Sequence, residues 1–186
     1  MVYEPTFDQD GVVNGLIVSG RDLTELKHAE ELALRNNRQV RMLLDCSAEA
    51  IYGIDMQGCC TFANRACLEM LGYDAEADFL GVNIHDLIHH HDRDGNAIQN
   101  EQCRIYSAFR QASGTHCSDE MFWHKDGHCI PVEYWAYPIL DQDQVVGAVV
   151  NFLDISERLE RNHKLEASEA RFRALADLSP VGIYRN

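Results

Sequence analysis

His85, His89, His90, His91, Asp92 and Asp94 fall within ten residues, and imidazole with carboxylate is a ligand set that zinc and nickel accept. Consecutive histidines cannot all converge on one ion. The residues therefore favour a solvated loop ahead of Asp94-Gly95, with no metal assigned and the capacity of His89 to His91 to bind one left open. His124 and His128 straddle the turn Lys125-Asp126-Gly127 and are expected to be exposed. The seven cysteines are odd in number and contain no C-x-x-C pair, which argues against a disulfide framework and a zinc ribbon and leaves reduced thiols. Cys59 and Cys60 are adjacent on a strand-like run, so they face opposite ways and make a poor redox pair. A glycine-rich phosphate loop, a nucleophile elbow, a paired-carboxylate pocket and an H-E-x-x-H helix are all missing from the sequence. Catalysis is not expected of these residues.

The chain has 186 residues, of which 46% are apolar, enough to build a packed core. Its formal net charge of −14 repels phosphate backbones and anionic headgroups, so nucleic acid is a poor partner. No apolar run approaches the roughly 20 residues of a membrane helix. Met1-Val2-Tyr3-Glu4-Pro5 lacks the basic-then-apolar order of a signal peptide, so a cytoplasmic location without membrane insertion is expected.

Slid along itself, the chain repeats. Gly15 to Ile54 aligns without a gap with Gly147 to Asn186 at a constant offset of 132 residues. Identical pairs include Gly15/Gly147, Val18/Val150, Asp22/Asp154, Glu25/Glu157, Arg41/Arg173, Ser47/Ser179 and Tyr52/Tyr184. The stretch from Pro5 to Val13 echoes Pro138 to Val146 once one residue is slipped. The expectation is the tail of one module, one whole module and the opening of a third, within a longer tandem array. The alternative is a single domain with symmetric helical ends.

Residues 26 to 45 carry Leu26, Ala29, Leu32, Ala33, Val40, Leu43 and Leu44 between charges, as an amphipathic helix does. Ala50 to Asp55 and Cys59 to Ala63 are strand-like runs around the turn Met56-Gln57-Gly58. Asn64 to Leu71 is helical and stops at Gly72, with short helical pieces from Phe79 to Ile88 and a longer helix from Gln99 to Ala112. Strands Cys117 to Trp123, His128 to Leu140 and Val145 to Phe152 follow, the first two joined by the Asp126-Gly127 hairpin signal. A last helix starts near Ile155 and passes Phe172. This is an α+β order with five strands in an antiparallel sheet and flanking amphipathic helices.

That order resembles a PAS domain. The markers are Asn64-Arg65-Ala66, Leu71-Gly72-Tyr73, Phe79-Leu80-Gly81, Trp123-His124-Lys125-Asp126-Gly127, Pro138-Ile139 and Asp154-Ile155-Ser156-Glu157. The resemblance implies a complete PAS domain over 41–157, linker helices over 26–40 and 158–171, the remnant of a preceding PAS module over 1–25, and the start of a following one over 172–186. It further implies a sensory module in which the short helices lie on one face of the sheet and enclose with it a cavity for haem, flavin, a small metabolite or nothing.

The run matching the N-C-R-F-L of light-oxygen-voltage flavin domains is Asn83-Ile84-His85-Asp86-Leu87, with Ile84 in place of the reactive cysteine. The positions that read the flavin's polar edge correspond to Phe122, Val132 and Phe152, so a flavin there would lose several hydrogen bonds at about 1–3 kcal/mol each. The haem-ligating position of rhizobial oxygen sensors falls near Asn96 and Ala97, and no histidine lies between Asn96 and Ala112. Flavin and haem are thus both disfavoured, and the cofactor is none or unknown. Strand alternation puts Ile130, Val132, Tyr134 and Ala136 on one face, the cavity wall in the family's register, and Cys129, Glu133, Trp135 and Tyr137 on the other. The candidate lining of a small apolar ligand is Phe122, Val132, Tyr134 and Phe152. The alternative is that they fill the core. Leu26 to Leu44 is the candidate cover for Trp135 and Tyr137.

Asp154 is the expected relay between sheet and exit helix. The functional expectation is a cytoplasmic sensory region of a sensor histidine kinase or diguanylate cyclase. It is paired with a rival reading as an unliganded dimerisation and relay module. Its expected partners are a second copy, met through the flanking helices, neighbouring PAS modules and an output domain that would carry any enzymatic activity.

Overall fold

The computed structural model of the chain describes residues 2–19 and 23–178, which divide into two units, 1–43 and 44–186. The first holds an antiparallel hairpin of β1 (Val2–Phe7) and β2 (Val13–Ser19), followed by most of helix α1 (Thr24–Asp45). The Asp8 carboxylate fastens the hairpin turn by accepting from the amides of Asp10 at 3.0 Å and Val12 at 2.8 Å. No residue of α1 is buried.

The second unit is built on one sheet. Its strands are β3 (Ala50–Asp55), β4 (Cys60–Ala63), β5 (Thr115–Trp123), β6 (Cys129–Asp141) and β7 (Gln144–Asp154), in the order β4-β3-β7-β6-β5 with every neighbouring pair antiparallel. Between β4 and β5 lie α2 (Arg65–Leu71), a 3-10 turn (Glu76–Asp78), α3 (Ile84–Ile88) and α4 (Arg104–Arg110). Helix α5 (Ser156–Leu178) leaves the end of β7.

Alternation along β6 explains which face is inside. Ile130, Val132, Tyr134 and Ala136 are buried, whereas Cys129 and Tyr137 are exposed and Glu133 and Trp135 half-buried. On the outer face the Trp135 ring stacks on His116 with centroids 4.6 Å apart. Asn64 fixes the connection from β4 to α2. Its Oδ1 accepts from Cys67 N at 3.0 Å, capping the helix, and from Ile51 N at 2.8 Å, while its Nδ2 donates to the carbonyls of Leu44 and Glu49 at 2.9 Å each. Gly72 ends α2 at φ 77, and a Cβ there would sit 2.2 Å from the His124 ring.

The two hairpins share a register. In β1–β2, Pro5 faces Leu16, Thr6 faces Gly15 and, after a shift, Phe7 faces Val13. In β6–β7, Pro138 faces Ala148, Ile139 faces Gly147 and, after a shift, Leu140 faces Val145. The first two pairs correspond under the repeat alignment, and both hairpins shift register directly after them.

The helix expected over Gln99 to Ala112 is confined to Arg104–Arg110. Its front end is diverted because Ile98 N donates to His90 O at 2.9 Å and Ala97 bridges to His91; its back end stops where Ala112 turns to φ 49. Asp22, Ser179 and Tyr184 of the repeat, and most of the expected start of a following module over 172–186, lie outside the described residues. Among the described residues, no helix is long and apolar enough to cross a membrane.

Candidate functional site

Helix α3 begins at Asn83, whose Oδ1 accepts from His85 N at 3.0 Å. Helical spacing places His85 and His89, four residues apart, on one face, and His89 N still bonds His85 O at 3.0 Å. That face turns inward, with His85 5% and His89 1% exposed. The expected solvated loop is therefore corrected for these two residues. Packing of α3 against the sheet draws them under it, and His90 and His91 stay at the rim. There His90 stacks on Trp123 at 5.2 Å and Trp123 Nε1 donates to His91 O at 3.0 Å.

His89 bridges helix and sheet. Its Nδ1 lies 3.3 Å from Cys103 Sγ, just ahead of α4, and its Nε2 lies 2.7 Å from Glu120 Oε2 on β5 as an ion pair. Glu120 Oε2 also accepts from Tyr134 Oη at 2.7 Å, and its Oε1 faces Arg104 Nε at 3.3 Å. His85 Nε2 lies 2.8 Å from Ile98 O. Because a carbonyl can only accept, this nitrogen carries the proton in neutral His85 and Nδ1 is bare.

The electrostatics follow. Burial pushes the Cys103 thiol up, but the nearby His85 and His89 rings outweigh that and bring it to about 6. Burial likewise disfavours the charged His89 ring, yet Cys103 and Glu120 raise it to about 9. Burial raises Glu120, and His89, Tyr134 and Arg104 more than offset it, leaving the carboxylate below its ordinary range. All three shifts run toward the charged forms, a thiolate, an imidazolium and a carboxylate.

Beside them is a cavity of about 10 Å³ whose lining includes Tyr52, Ile54, His85, His89, Cys103 and Tyr106. Three polar atoms of its lining residues, Tyr52 Oη, His85 Nδ1 and His89 Nε2, are buried without a hydrogen-bond partner, the last meeting Glu120 only as an ion pair. A second cluster, His124, Asp126 and His128, sits on the β5–β6 turn, where Asp126 and His128 are exposed and His124 half-buried.

Phe122, Val132, Tyr134 and Phe152, the sequence's candidates for a ligand lining, are each 0% exposed. The Phe122 ring lies 5.7 Å from Tyr134 and 5.0 Å from Phe152. The four belong to the core cluster and do not line the small cavity. Asp154 is exposed at the end of β7, and its Oδ1 accepts from Ser156 N at 2.7 Å at the head of α5. Ile155, buried, donates its amide to Pro131 O at 3.0 Å. One turn on, Arg158 Nη1 donates to Glu133 Oε2 at 2.6 Å, and Glu133 Oε1 in turn meets His116 Nε2 at 2.8 Å.

Sequence reasoning missed Cys103 and Glu120 as site residues. Glu120 was within reach of the alternation rule, since it stands two positions before inward-facing Phe122 on the same strand. Cys103 gave no such signal beyond its place on an apolar stripe.

The family model for the PAS fold matches residues 38–155. The probable diguanylate cyclase DgcE of Escherichia coli (strain K12) is 26% identical over 162 residues, which cover 87% of this chain but 14% of that protein. The PAS domain of an HTR-like protein from Haloarcula marismortui superposes with a TM-score of 0.53 at 20% identity, covering 69% of this chain and 99% of that one. A domain of a sensory box sensor histidine kinase/response regulator from Geobacter sulfurreducens gives a TM-score of 0.50 at 17% identity, covering 64% of this chain and 94% of that one. The antiparallel sheet in the order β4-β3-β7-β6-β5 with its short helices, the expected markers around it, and a family match over more than half of the sequence agree: the chain belongs to the PAS fold family.

Proposed function

We propose that the chain is a sensory and signal-relay region of a signalling protein of the diguanylate cyclase or sensor histidine kinase kind, and that it passes its signal from the sheet into α5. PAS domains serve signalling proteins as sensory rather than catalytic modules, so any enzymatic activity belongs to an output domain elsewhere in the parent protein. The observation that carries the reading is the junction at the end of β7. There Asp154 caps α5, Ile155 is buried against Pro131, and Arg158 is tied to Glu133 on β6. A helix held at three points within its first turn on two strands follows a change of sheet twist as a lever. Replacing Asp154→Ala removes the cap. Amide exchange over Ser156 to Leu159 is then expected to rise in this chain, and the signal response of the full-length parent to change. Unchanged exchange together with an unchanged response rejects the relay.

A second reading, an unliganded dimerisation and relay module, is favoured by the core itself. Phe122, Val132, Tyr134 and Phe152 pack on one another, and the cavity of about 10 Å³ is far below the roughly 300–1,000 Å³ of organic ligand pockets. Mass spectrometry of what denaturation releases decides between the readings. A recovered metabolite supports the sensor, and none supports the relay.

Two further parts of the proposal concern organisation. The shared register of the two hairpins supports 1–25 as the end of a preceding PAS module in a tandem array. In α1, Leu26, Ala33 and Val40 recur every seven residues, with Ala29, Asn36 and Leu43 three residues behind each, and all six are exposed. This is the a/d seam of a coiled coil, and a second copy of the chain is its proposed partner.

A further inference from the structure

We infer that His85 Nδ1, His89 Nδ1 and Cys103 Sγ form a binding site for a single zinc-class transition-metal ion, with a fourth coordination position open to the small cavity beside Tyr52.

One nitrogen from each histidine and the Cys103 sulfur lie within 4.8 Å of one another, and all three residues are buried. The donors are nitrogen and sulfur, the set that selects zinc or copper over magnesium and calcium. His89 Nδ1 and Cys103 Sγ are 3.3 Å apart. Two such ligands on one tetrahedral zinc are separated by about 3.6 Å, from bond lengths of roughly 2.0 and 2.3 Å. For this pair a few tenths of an ångström of outward movement admits the ion, with the His85 nitrogen within 4.8 Å of both. Binding replaces the proton held between His89 Nδ1 and Cys103 Sγ and releases it to solvent.

The surroundings match a metal centre more specifically than proximity alone does. Metal-binding histidines characteristically donate their second ring nitrogen to a carboxylate or a backbone carbonyl, which fixes the tautomer and aims the free lone pair. His85 is held in this way by a hydrogen bond, whereas His89 faces its carboxylate only as an ion pair. His85 Nε2 is on Ile98 O at 2.8 Å, and His89 Nε2 is on Glu120 Oε2 at 2.7 Å. Glu120 is itself oriented by Tyr134 Oη at 2.7 Å. With its outer nitrogen so engaged, His85 is left with Nδ1 buried and unpartnered, a lone pair with nothing to accept. Tyr52 Oη is likewise buried and unpartnered on the same cavity, placed to meet a water or small anion in the fourth position. The cavity's volume of about 10 Å³ is that of one water, for which roughly 10–15 Å³ is needed, so it suits an ion or its water and no organic group.

The site does not rest on the relay reading, since it stands whether or not a signal leaves through α5. The test is titration of the chelator-treated chain with cobalt(II) alone, followed by zinc(II). The expected result is one equivalent of cobalt bound, with thiolate-to-cobalt charge-transfer absorption that zinc abolishes. Cys103→Ser is expected to lose that absorption while keeping its far-ultraviolet circular dichroism. Glu120→Gln is expected to keep the absorption and bind about 10- to 100-fold more weakly. His128→Ala, on the exposed turn cluster, is expected to change none of this. Should Cys103→Ser fail to fold, His85→Gln serves in its place, since it spares the His89–Cys103 contact and is expected to weaken binding. A titration without charge-transfer absorption overturns the proposal. So does an absorption that survives in Cys103→Ser, or binding that disappears in His128→Ala.

Discussion

Glu120 is the charged group through which the sheet holds His89, alongside ring contacts from Phe122 and Tyr134, and removing it gives the sharpest energetic test of the polar cluster. In Glu120→Ala, His89, 1% exposed, loses its ion-pair partner, and Tyr134, 0% exposed, loses the acceptor of its hydroxyl. Breaking a buried pair from one side costs about 3–5 kcal/mol, and an orphaned buried hydroxyl about 1–3 kcal/mol. Glu120's own side chain is 17% exposed, so water reaches part of the vacated space and returns some of that cost. A net loss of about 3–5 kcal/mol is expected from these terms. Glu120→Gln keeps an oxygen for Tyr134 but gives up the charge facing His89, for an expected loss of about 1.5–3 kcal/mol. Urea unfolding at neutral pH with chelator present measures both, provided the slope against urea is unchanged. A loss under about 1 kcal/mol for Glu120→Ala, or equal losses for the two variants, refutes the reasoning.

Asn64→Ala removes four hydrogen bonds from a side chain that is 2% exposed. It is expected to cost about 3–5 kcal/mol by urea unfolding, at roughly 1 kcal/mol per bond plus stranded partners. Glu133 is held below the ordinary carboxylate range, first by His116 and then by Arg158. A carboxylate depressed in the folded state stabilises above its unfolded pKa and loses that contribution as pH falls through its folded one. The first turn of α5 should therefore loosen only in acid, and an NMR titration placing Glu133 at or above the ordinary glutamate value counts against this. Val40→Glu puts a charge on the α1 seam and is expected to shift the chain from dimer to monomer in sedimentation; an unchanged association state removes α1 as the dimer contact.

Much of the fold is local enough to read from the sequence. Asp126-Gly127 announces its hairpin, alternation from Ile130 to Ala136 assigns the buried face of β6, and Asn64 and Gly72 bracket α2 because caps depend on adjacent residues. The repeat even carries the register shift of the β6–β7 hairpin into β1–β2. The middle helix was overdrawn because Cys103, Ile105 and Tyr106 give a helical period whose front end is claimed by a non-local contact, Ile98 N on His90 O. The cluster was hidden for a related reason. His89 stands beside His90 and His91, and only the packing of α3 decides which of the three turns inward. Its partners come 14 and 31 residues later in the chain, from the turn ahead of α4 and from a strand, beyond any local pattern.

The apolar residues at Phe122, Val132 and Phe152 explain why the polar chemistry of this core lies where it does. The side chains at these inner-sheet positions offer no hydrogen-bonding group, and the Phe122 and Phe152 rings pack on each other in the core. Polarity enters one step along β5, at Glu120, which faces the same side as Phe122 and reaches His89 in the helical layer. From there the contacts run without a gap toward the exit: Glu120 to Tyr134 on β6, Tyr134 opposite Phe152 on β7, and two residues on, Asp154 at the head of α5. Contiguity is a requirement for coupling and not its proof, but it distinguishes the two ends of the core. A change in charge or coordination at His85, His89 and Cys103 alters a carboxylate that the sheet itself presents. An apolar ligand among Phe122, Val132 and Phe152 would first have to displace rings that already pack on one another.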